Sequence, residues 1–358
     1  MKVILFGGKG GVGKTTFASV AAIQLAESGC RTLLMSTDPA HSLSDRLEQE
    51  IGPEITPVTG VPNLWALEVS AERLYFKFKG DHGDEIRRIL ETTYLDDEDI
   101  SDLLSLSIPG LDEVMALKEL VELVDGGQYD FYVVDTAPTG HALRLLGLPQ
   151  LLDDWIRVLA RMSYKYRDLV SRLARHEIPG PAEDFLFTMK QTVRKVQALL
   201  RDPERCEFIV VTVPEIMVMA ETGRLVEDLG RLEIPVRHLI VNHVMSAESA
   251  PCPFCRERWQ EQRRVMRGCQ QTVSAYEVCD VLELPHAIRG LGRLKELRLP
   301  APWFCEEARR AAAGRTGADG ERRWARKASG EPPAAARAAD RRGQGRAAAM
   351  ALRSPPAL

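Results

Sequence analysis

The feature that most constrains this chain is a glycine-rich segment near its start, Gly8-Lys9-Gly10-Gly11-Val12-Gly13-Lys14-Thr15. It fits the pattern GxxxxGK[ST] and stands between a short apolar run, residues 2–6, and a stretch with helical spacing, residues 14–27. Glycines in such a loop let backbone N–H groups converge on phosphate oxygens, and the start of the following helix adds partial positive charge. The segment therefore predicts a loop that binds the phosphates of a nucleotide.

Individual positions of this loop have distinct predicted roles. Lys14 is expected to contact the β- and γ-phosphates, and the Thr15 hydroxyl to bind Mg²⁺. The remaining predicted contacts to the nucleotide come from Gly8, Gly10, Gly11, Val12, Gly13 and the following Thr16. Lys9 is less expected, because two lysines in one loop repel each other unless an anion lies between them. Lys9 is therefore either a solvated loop residue or a second ligand of phosphate.

Two aspartates follow predicted strands. Asp38 comes two residues after the apolar run 30–36, and Asp135 closes the run 131–135. In a parallel sheet, a carboxylate at the carboxyl end of a strand faces the crevice where ligands bind. Asp38 is predicted to orient or deprotonate an attacking water, although an Asp-Pro pair is also common at helix caps and turns. Asp135 is predicted to hold Mg²⁺, directly or through a water molecule.

Apolar runs rich in β-branched residues alternate with helical stretches, which is typical of a parallel sheet covered by helices on both faces. The predicted strands are residues 2–6, 30–36, 64–69, 131–135, 208–213 and 239–242. Residues 70–124 and 150–200 are too long for simple crossovers, and they carry apolar residues at helical spacing. The predicted fold class is α/β, a P-loop NTPase with a mainly parallel sheet and an inserted α-helical subdomain.

Composition and charge limit the possible functions. Of the 358 residues, 45% are apolar and 27% are charged, and the net charge is −4. Residues 311–358 carry 10 basic and 4 acidic residues, which leaves 37 basic against 47 acidic in the remainder. The acidic remainder argues against specific nucleic-acid binding. The Ala/Arg-rich tail predicts disorder following one domain, residues 1–310.

The sequence predicts neither a transmembrane segment nor a secretory signal. No run approaches the ~18 apolar residues that span a bilayer, and the apolar N-terminal run is too short for a secretory signal. Seven cysteines, an odd number, do not make a disulfide framework. We therefore expect a cytoplasmic protein with no transmembrane span of its own.

Cys252-Pro253-Phe254-Cys255 has the spacing of a metal or redox motif. Structural zinc needs four ligands, and one such pair supplies two of them. Either Cys269 and Cys279 complete the site within one chain, or a second chain brings its own pair. A thioredoxin-like redox role is less favoured, because the motif does not open the helix of a small βαβ domain.

Five segments, taken in this order, resemble one family: GKGGVGKT at 8–15, STDPAHSLSD at 36–45, PGLDE at 109–113, DTAPTGHALRLL at 135–146 and CPFC at 252–255. They are similar to the arsenite-pump and tail-anchored-protein-targeting ATPases, within the deviant Walker A class. The resemblance covers roughly residues 1–305. It implies that the protein hydrolyses ATP with Mg²⁺ and works as a homodimer.

The same resemblance assigns further residues. It implies that Lys9 reaches across the dimer to the partner's nucleotide, and that Asn242 binds adenine. Pro285 is similar to a position in the family's adenine loop. It also favours the second arrangement of the cysteines, in which Cys252 and Cys255 of both chains share one zinc ion.

Two functions are open within this resemblance. In the first, the inserts 70–124 and 150–200 form an apolar groove that shields the transmembrane helix of a client protein. In the second, the ATPase drives a membrane pump for arsenite, an ion that seeks three converging thiolates. Because residues 70–205 contain no cysteine, targeting is favoured. A partitioning or septum-positioning ATPase would share the phosphate loop but not the CPFC and DPAHS segments.

Overall fold

A computed structural model describes residues 1–37, 42–69, 111–135, 194–246, 252–269, 275–284 and 287–300, with the isolated positions 80, 87 and 191. These residues all belong to one structural unit, Met1–Arg309. The predictions for Asp38 and Pro285, for most of the two helical inserts and for the tail 311–358 lie outside the described residues.

Eight strands among the described residues form a single sheet. In spatial order they are β3 (Thr56–Pro57), β4 (Leu64–Glu68), β2 (Thr32–Ser36), β5 (Phe131–Asp135), β1 (Lys2–Gly7), β6 (Cys206–Thr212), β7 (Val236–Val244) and β8 (Glu277–Leu282). Neighbouring strands are parallel except for β3, which is antiparallel to β4. In the strand order, the connection after β1 runs in one direction, to β2, and the connection after β6 runs in the opposite direction, to β7. The boundary between β1 and β6 is therefore a topological switch point, where α/β sheets bind ligands.

The described helices are α1 (Lys14–Glu27), α2 (Ser42–Leu47), α3 (Leu111–Gly126), α4 (Ile216–Arg231), α5 (Pro253–Gly268) and α6 (Gly290–Glu296). Residues 194–201 are also helical. Helical structure in α3 and in 194–201 agrees with the spacing of apolar residues in the two inserts. None of the helices within the described residues is long and apolar enough to cross a membrane.

Both faces of the sheet are covered by helices. Successive residues of a strand point to opposite faces. On one face, Val3 and Leu5 belong to a buried apolar cluster that includes side chains of α3, α4 and residues 194–201. Ile4 and Phe6 point the opposite way and are equally buried, and α1 contacts β1, β2 and β5 without joining that cluster. The predicted α/β class with a mainly parallel, doubly covered sheet is confirmed.

The six predicted strands are present, with ends shifted by at most a few residues. Two further strands, β3 and β8, were not predicted. β3 has only two residues, and β8 is an edge strand in which every residue is at least partly exposed. Neither carries the continuous apolar run that marks a buried strand in the sequence.

Ionisable side chains at the amino ends of four strands form a cluster away from the phosphate loop, and all of them except Glu277 are buried. Lys2 Nζ lies 2.9 Å from Glu207 Oε2, and the other oxygen of Glu207 is hydrogen bonded to His238 Nδ1. His238 Nε2 lies 3.4 Å from Glu277 Oε2. Burial raises the pKa of the Glu207 carboxyl, but the hydrogen bond with His238 and the charge of Lys2 outweigh burial. The pKa of Glu207 is therefore lower than its ordinary value.

We expect the substitution Glu207→Gln to lower the free energy of unfolding by about 3 kcal/mol, because Lys2 would lose its buried carboxylate partner. Urea denaturation at neutral pH measures this loss. Since the pKa of Glu207 is lowered in the fold, its stabilising contribution is complete above the ordinary value of 4.5 and disappears as the pH falls below it. The difference between wild type and variant should shrink on acidification, and a constant difference would contradict the ion pair.

Candidate nucleotide site

The phosphate loop packs tightly against β6 and β7. β1 ends at Gly7 and α1 begins at Lys14, so the loop lies at the carboxyl end of a central strand. Gly8 has a φ of +153°, and a Cβ there would lie 2.1 Å from the carbonyl oxygen of Val211. Gly13 has a φ of +106°, and its Cβ would lie 2.8 Å from Asn242 Nδ2. Only glycine fits these two positions, both because of the backbone conformation and because of the space.

The start of α1 has the properties of an anion site. No residue of its first turn is acidic, and no side chain caps it, so the first N–H groups are not used by a capping side chain. Lys14 is buried, and its Nζ donates to the carbonyl oxygen of Lys9 at 3.3 Å. This bond folds the lysine back over the loop. Amide groups, the helix dipole and one ammonium group are therefore concentrated at the same place.

Thr15 and Asp135, the two predicted Mg²⁺ residues, lie together. Thr15 Oγ1 donates to Asp135 Oδ2 at 2.6 Å, and Asp135 is fully buried at the end of β5. Asp135 lies opposite Phe6 of β1 in the sheet register. A hydroxyl and a carboxylate oxygen are the hard ligands that Mg²⁺ prefers, so the pair fits this ion beside the phosphate loop.

Lys9 and Asn242 lie beside the loop with partners that the sequence did not predict. Lys9 Nζ is 3.3 Å from Glu221 Oε2 on α4, and the two side chains are 39% and 32% exposed. Asn242 is buried two residues before the end of β7, and its Nδ2 donates to the carbonyl oxygen of Val12 at 3.0 Å. Both partners are distant in sequence, and no local pattern marks them.

A further carboxylate at this edge of the sheet was missed. Glu68 is the last residue of β4, and its Oε1 accepts hydrogen bonds from the backbone N–H groups of Leu43 and Ser44, at 2.7 and 3.2 Å. It thus caps the start of α2, the helix that follows Asp38 in the chain. A signal was present, since Glu68 is the one charged residue within the predicted apolar strand 64–69.

The cysteine pair opens α5, the helix between the parallel strands β7 and β8. The expectation that the motif does not open the helix of a βαβ unit is therefore wrong, although this unit is part of a large sheet rather than of a small domain. The backbone N–H of Cys255 donates to Cys252 Sγ at 3.1 Å, and hydrogen bonding from Cys255 lowers the pKa of the Cys252 thiol. Cys269 directly follows the other end of α5, about 25 Å away at 1.5 Å per residue, so it cannot share a metal ion with this pair. Among the described residues, no three His, Cys, Asp or Glu side chains converge on a metal position. The one-chain zinc site with Cys269 and Cys279 is therefore wrong for the described part of the chain.

Comparisons with known proteins agree with this geometry. Residues 1–299 match the family described as anion-transporting ATPase. ATPase ASNA1 homolog 1 of Paramecium tetraurelia is 36% identical over 324 residues, which cover 86% of this chain and 92% of that protein. ATPase GET3C of Arabidopsis thaliana is 34% identical over 318 residues, covering 82% and 80% of the two chains. ATPase GET3 of Rhodotorula glutinis is 31% identical over 312 residues, covering 85% and 88%.

The packing of the loop on β6 predicts unequal effects of two alanine substitutions. Gly8→Ala should lower the free energy of unfolding by about 3 kcal/mol, because its methyl group would overlap the carbonyl oxygen of Val211. Gly11→Ala is the matched control: its φ of +82° is also left-handed, but nothing lies within 4 Å of the added methyl group. It should lose only about 1 kcal/mol. Chemical denaturation without nucleotide measures both, and equal losses would contradict the close approach to β6.

Proposed function

Because this chain belongs to the anion-transporting ATPase family and is an ATPase, we propose that it is a homodimeric switch that binds transmembrane segments of client proteins and targets them to a membrane. The observation that carries the proposal is its similarity, over at least four-fifths of both chains, to ATPases named GET3. Membership confirms the resemblance found in the sequence. The proposal takes from the family its tail-anchored-protein-targeting branch, in which hydrolysis serves to change conformation rather than to phosphorylate a substrate.

The nucleotide contacts in this proposal follow the geometry of the loop. Lys14 and the loop N–H groups hold the phosphates of ATP, and Mg²⁺ would offset their negative charge. Thr15 would hold the ion through its hydroxyl, and Asp135 would hold it directly or through water. The 2.6 Å contact between their oxygens supports this pairing. Asp38, two residues beyond β2, orients or deprotonates the attacking water. Asn242 and Pro285 contact the adenine.

The dimer in this proposal depends on Lys9. To reach the nucleotide of a second copy, Lys9 must leave Glu221, so the lysine would exchange a carboxylate for a phosphate when two chains close around ATP. Large apolar side chains on the described surface suit such a partner. Ile216 and Met217 are 63% and 67% exposed at the start of α4, and Phe254 is 72% exposed beside the cysteine pair. Contact with a second copy would remove their apolar surface from water.

The clients would bind the helical inserts 70–124 and 150–200. The apolar residues of α3 and of residues 194–201 are buried against the sheet, so they would not contribute to this binding. The proposal rests on the apolar stripes in the rest of the two inserts. The ATPase would act in the cytoplasm, where the thiols of Cys252 and Cys255 stay reduced. The family description as anion-transporting favours one alternative, the drive of arsenite efflux. The absence of cysteine from residues 70–205 of the sequence weighs against it. A several-fold stimulation of ATP hydrolysis by arsenite would support the alternative and contradict targeting.

In this proposal, the two chains of the dimer share one zinc ion. Cys252 and Cys255 supply two thiolates on one turn of chain, and a second copy would supply the other two of a tetrahedral site. The thiols lie near the exposed Phe254, on the surface that the dimer would cover.

Substitutions at two site residues should separate nucleotide binding from hydrolysis. Lys14→Ala should abolish ATP binding, whereas Asp38→Asn should bind ATP normally and turn it over about a hundredfold more slowly. Lys195→Ala, at an exposed lysine paired with Asp125, is the control that should change neither. Calorimetry and phosphate release measure the two effects. Normal hydrolysis by Asp38→Asn would mean that another group orients or deprotonates the attacking water.

The Asp38→Asn variant also tests the client. Held with ATP, it should retain a membrane protein with a single carboxyl-terminal transmembrane segment through gel filtration. The same protein without that segment should elute separately. Equal retention of both, or of neither, would contradict the proposed client chemistry.

Metal analysis tests the shared site. We expect about 0.5 zinc per chain in the purified dimer, and loss of both zinc and dimer in Cys255→Ser. Cys269→Ser is the matched control, and it should keep both. A value near one zinc per chain, or near zero, would exclude an ion shared by two chains.

A further inference from the structure

Glu68 is a buried carboxylate at the carboxyl end of β4, on the same end of the sheet as the nucleotide site. None of the roles proposed above involves it. It is only 4% exposed and lies opposite Ser36, the last residue of β2, in the sheet register. Besides the N–H groups of Leu43 and Ser44, it accepts a bond from Ser44 Oγ to its Oε2 at 3.1 Å. The first turn of α2 therefore donates to both oxygens of this carboxylate.

α2 depends on such tertiary contacts for its position. With six residues it is far too short to be stable alone. At its other end, Arg46 Nη1 donates to the carbonyl oxygen of Ile288 at 2.5 Å. Glu68 therefore determines where α2 begins, and Arg46 determines where its last turn is held.

The chain before Asp38 is also hydrogen bonded to the sheet. The backbone N–H of Thr37 donates to the carbonyl oxygen of Asp135 at 3.0 Å. Ser36 accepts a bond from the backbone N–H of Val69 at 2.9 Å. Only four residues, 38–41, connect Thr37 to the start of α2. Asp38 is thus linked through the chain to Asp135 on one side and to Glu68 on the other.

We propose that Glu68 is a positioning residue for ATP hydrolysis: by fixing the start of α2, it constrains one end of the four-residue segment that carries Asp38. The inference rests on the proposed role of Asp38. Glu68 does not touch the nucleotide in this scheme. Its loss shifts the attacking water rather than the phosphates, so turnover changes while ATP affinity stays constant.

The first experiment compares kcat, KM and ATP affinity in Glu68→Ala and Glu68→Gln. Glu68→Ala should lower kcat about tenfold to a hundredfold, with KM and affinity within about threefold of wild type. Glu68→Gln should be intermediate, because its amide oxygen still accepts from Leu43 and Ser44 but lacks the negative charge. If the alanine variant does not fold, the glutamine variant carries the test. A normal kcat in the folded variants would overturn the inference.

The matched control is Glu207→Gln. Glu207 is also a buried glutamate of the same sheet, 2% exposed, but it lies near the amino ends of the strands, away from the nucleotide site. It should lose stability without losing kcat per folded molecule. If Glu207→Gln slowed turnover as much as Glu68→Gln, general destabilisation would explain both results, and the positioning role would be overturned.

A double-mutant cycle separates this inference from the proposed function. If Glu68 acts through Asp38, adding Glu68→Ala to Asp38→Asn should lower kcat by less than about twofold further. Effects that multiply would show an action independent of Asp38 and overturn the inference. Normal turnover by Asp38→Asn alone would overturn the assigned role of Asp38. Slow turnover by Asp38→Asn with normal turnover by Glu68→Ala would reject only the role of Glu68.

Discussion

The site depends on one hydrogen bond, from the Thr15 hydroxyl to the buried carboxylate of Asp135. It joins the helix that follows β1 to the end of the neighbouring strand β5, and so ties the phosphate loop to the sheet at the level where ligands bind. The carbonyl oxygen of Asp135 also holds the N–H of Thr37, at the end of β2. A single residue therefore aligns the ends of three adjacent strands. A displacement of Asp135 would move both the proposed Mg²⁺ ligands and Thr37, which precedes Asp38 in the chain.

Two buried glutamates, Glu207 and Glu68, lie at opposite ends of the strands, and their different hydrogen-bond partners give them different roles. Glu207 lies near the amino ends of the strands, where Lys2 and His238 surround it with side-chain partners. It serves stability, and the ligand crevice is at the other end. Glu68 lies at the carboxyl ends, where its partners are the backbone N–H groups of α2. Because its partners are backbone groups rather than side chains, Glu68 holds a segment of the chain in place.

The surface around α4 and α5 has features that are typical of a protein interface. Lys9 is held by Glu221 at a half-exposed position, where an ion pair contributes little and can be exchanged for a phosphate at small cost. Ile216, Met217 and Phe254 expose large apolar areas nearby. In the proposed dimer, the cysteine pair supplies two of the four ligands of a shared zinc ion. These features are consistent with a chain whose chemistry is completed by a second copy, as we propose.

The sequence alone determined the features that local patterns encode. Glycine spacing marked the phosphate loop, continuous apolar runs marked the six inner strands, and Asp135 was recognisable because it ends such a run. The tertiary structure decided what depends on residues distant in the chain: the contacts of Lys9 with Glu221 and Asn242 with Val12, and the capping of α2 by Glu68. It also separated Cys269 from Cys252, which lie at opposite ends of one helix. The physical reason is that hydrogen bonds and ion pairs require specific distances in space, and folding brings together groups whose separation along the chain carries no pattern.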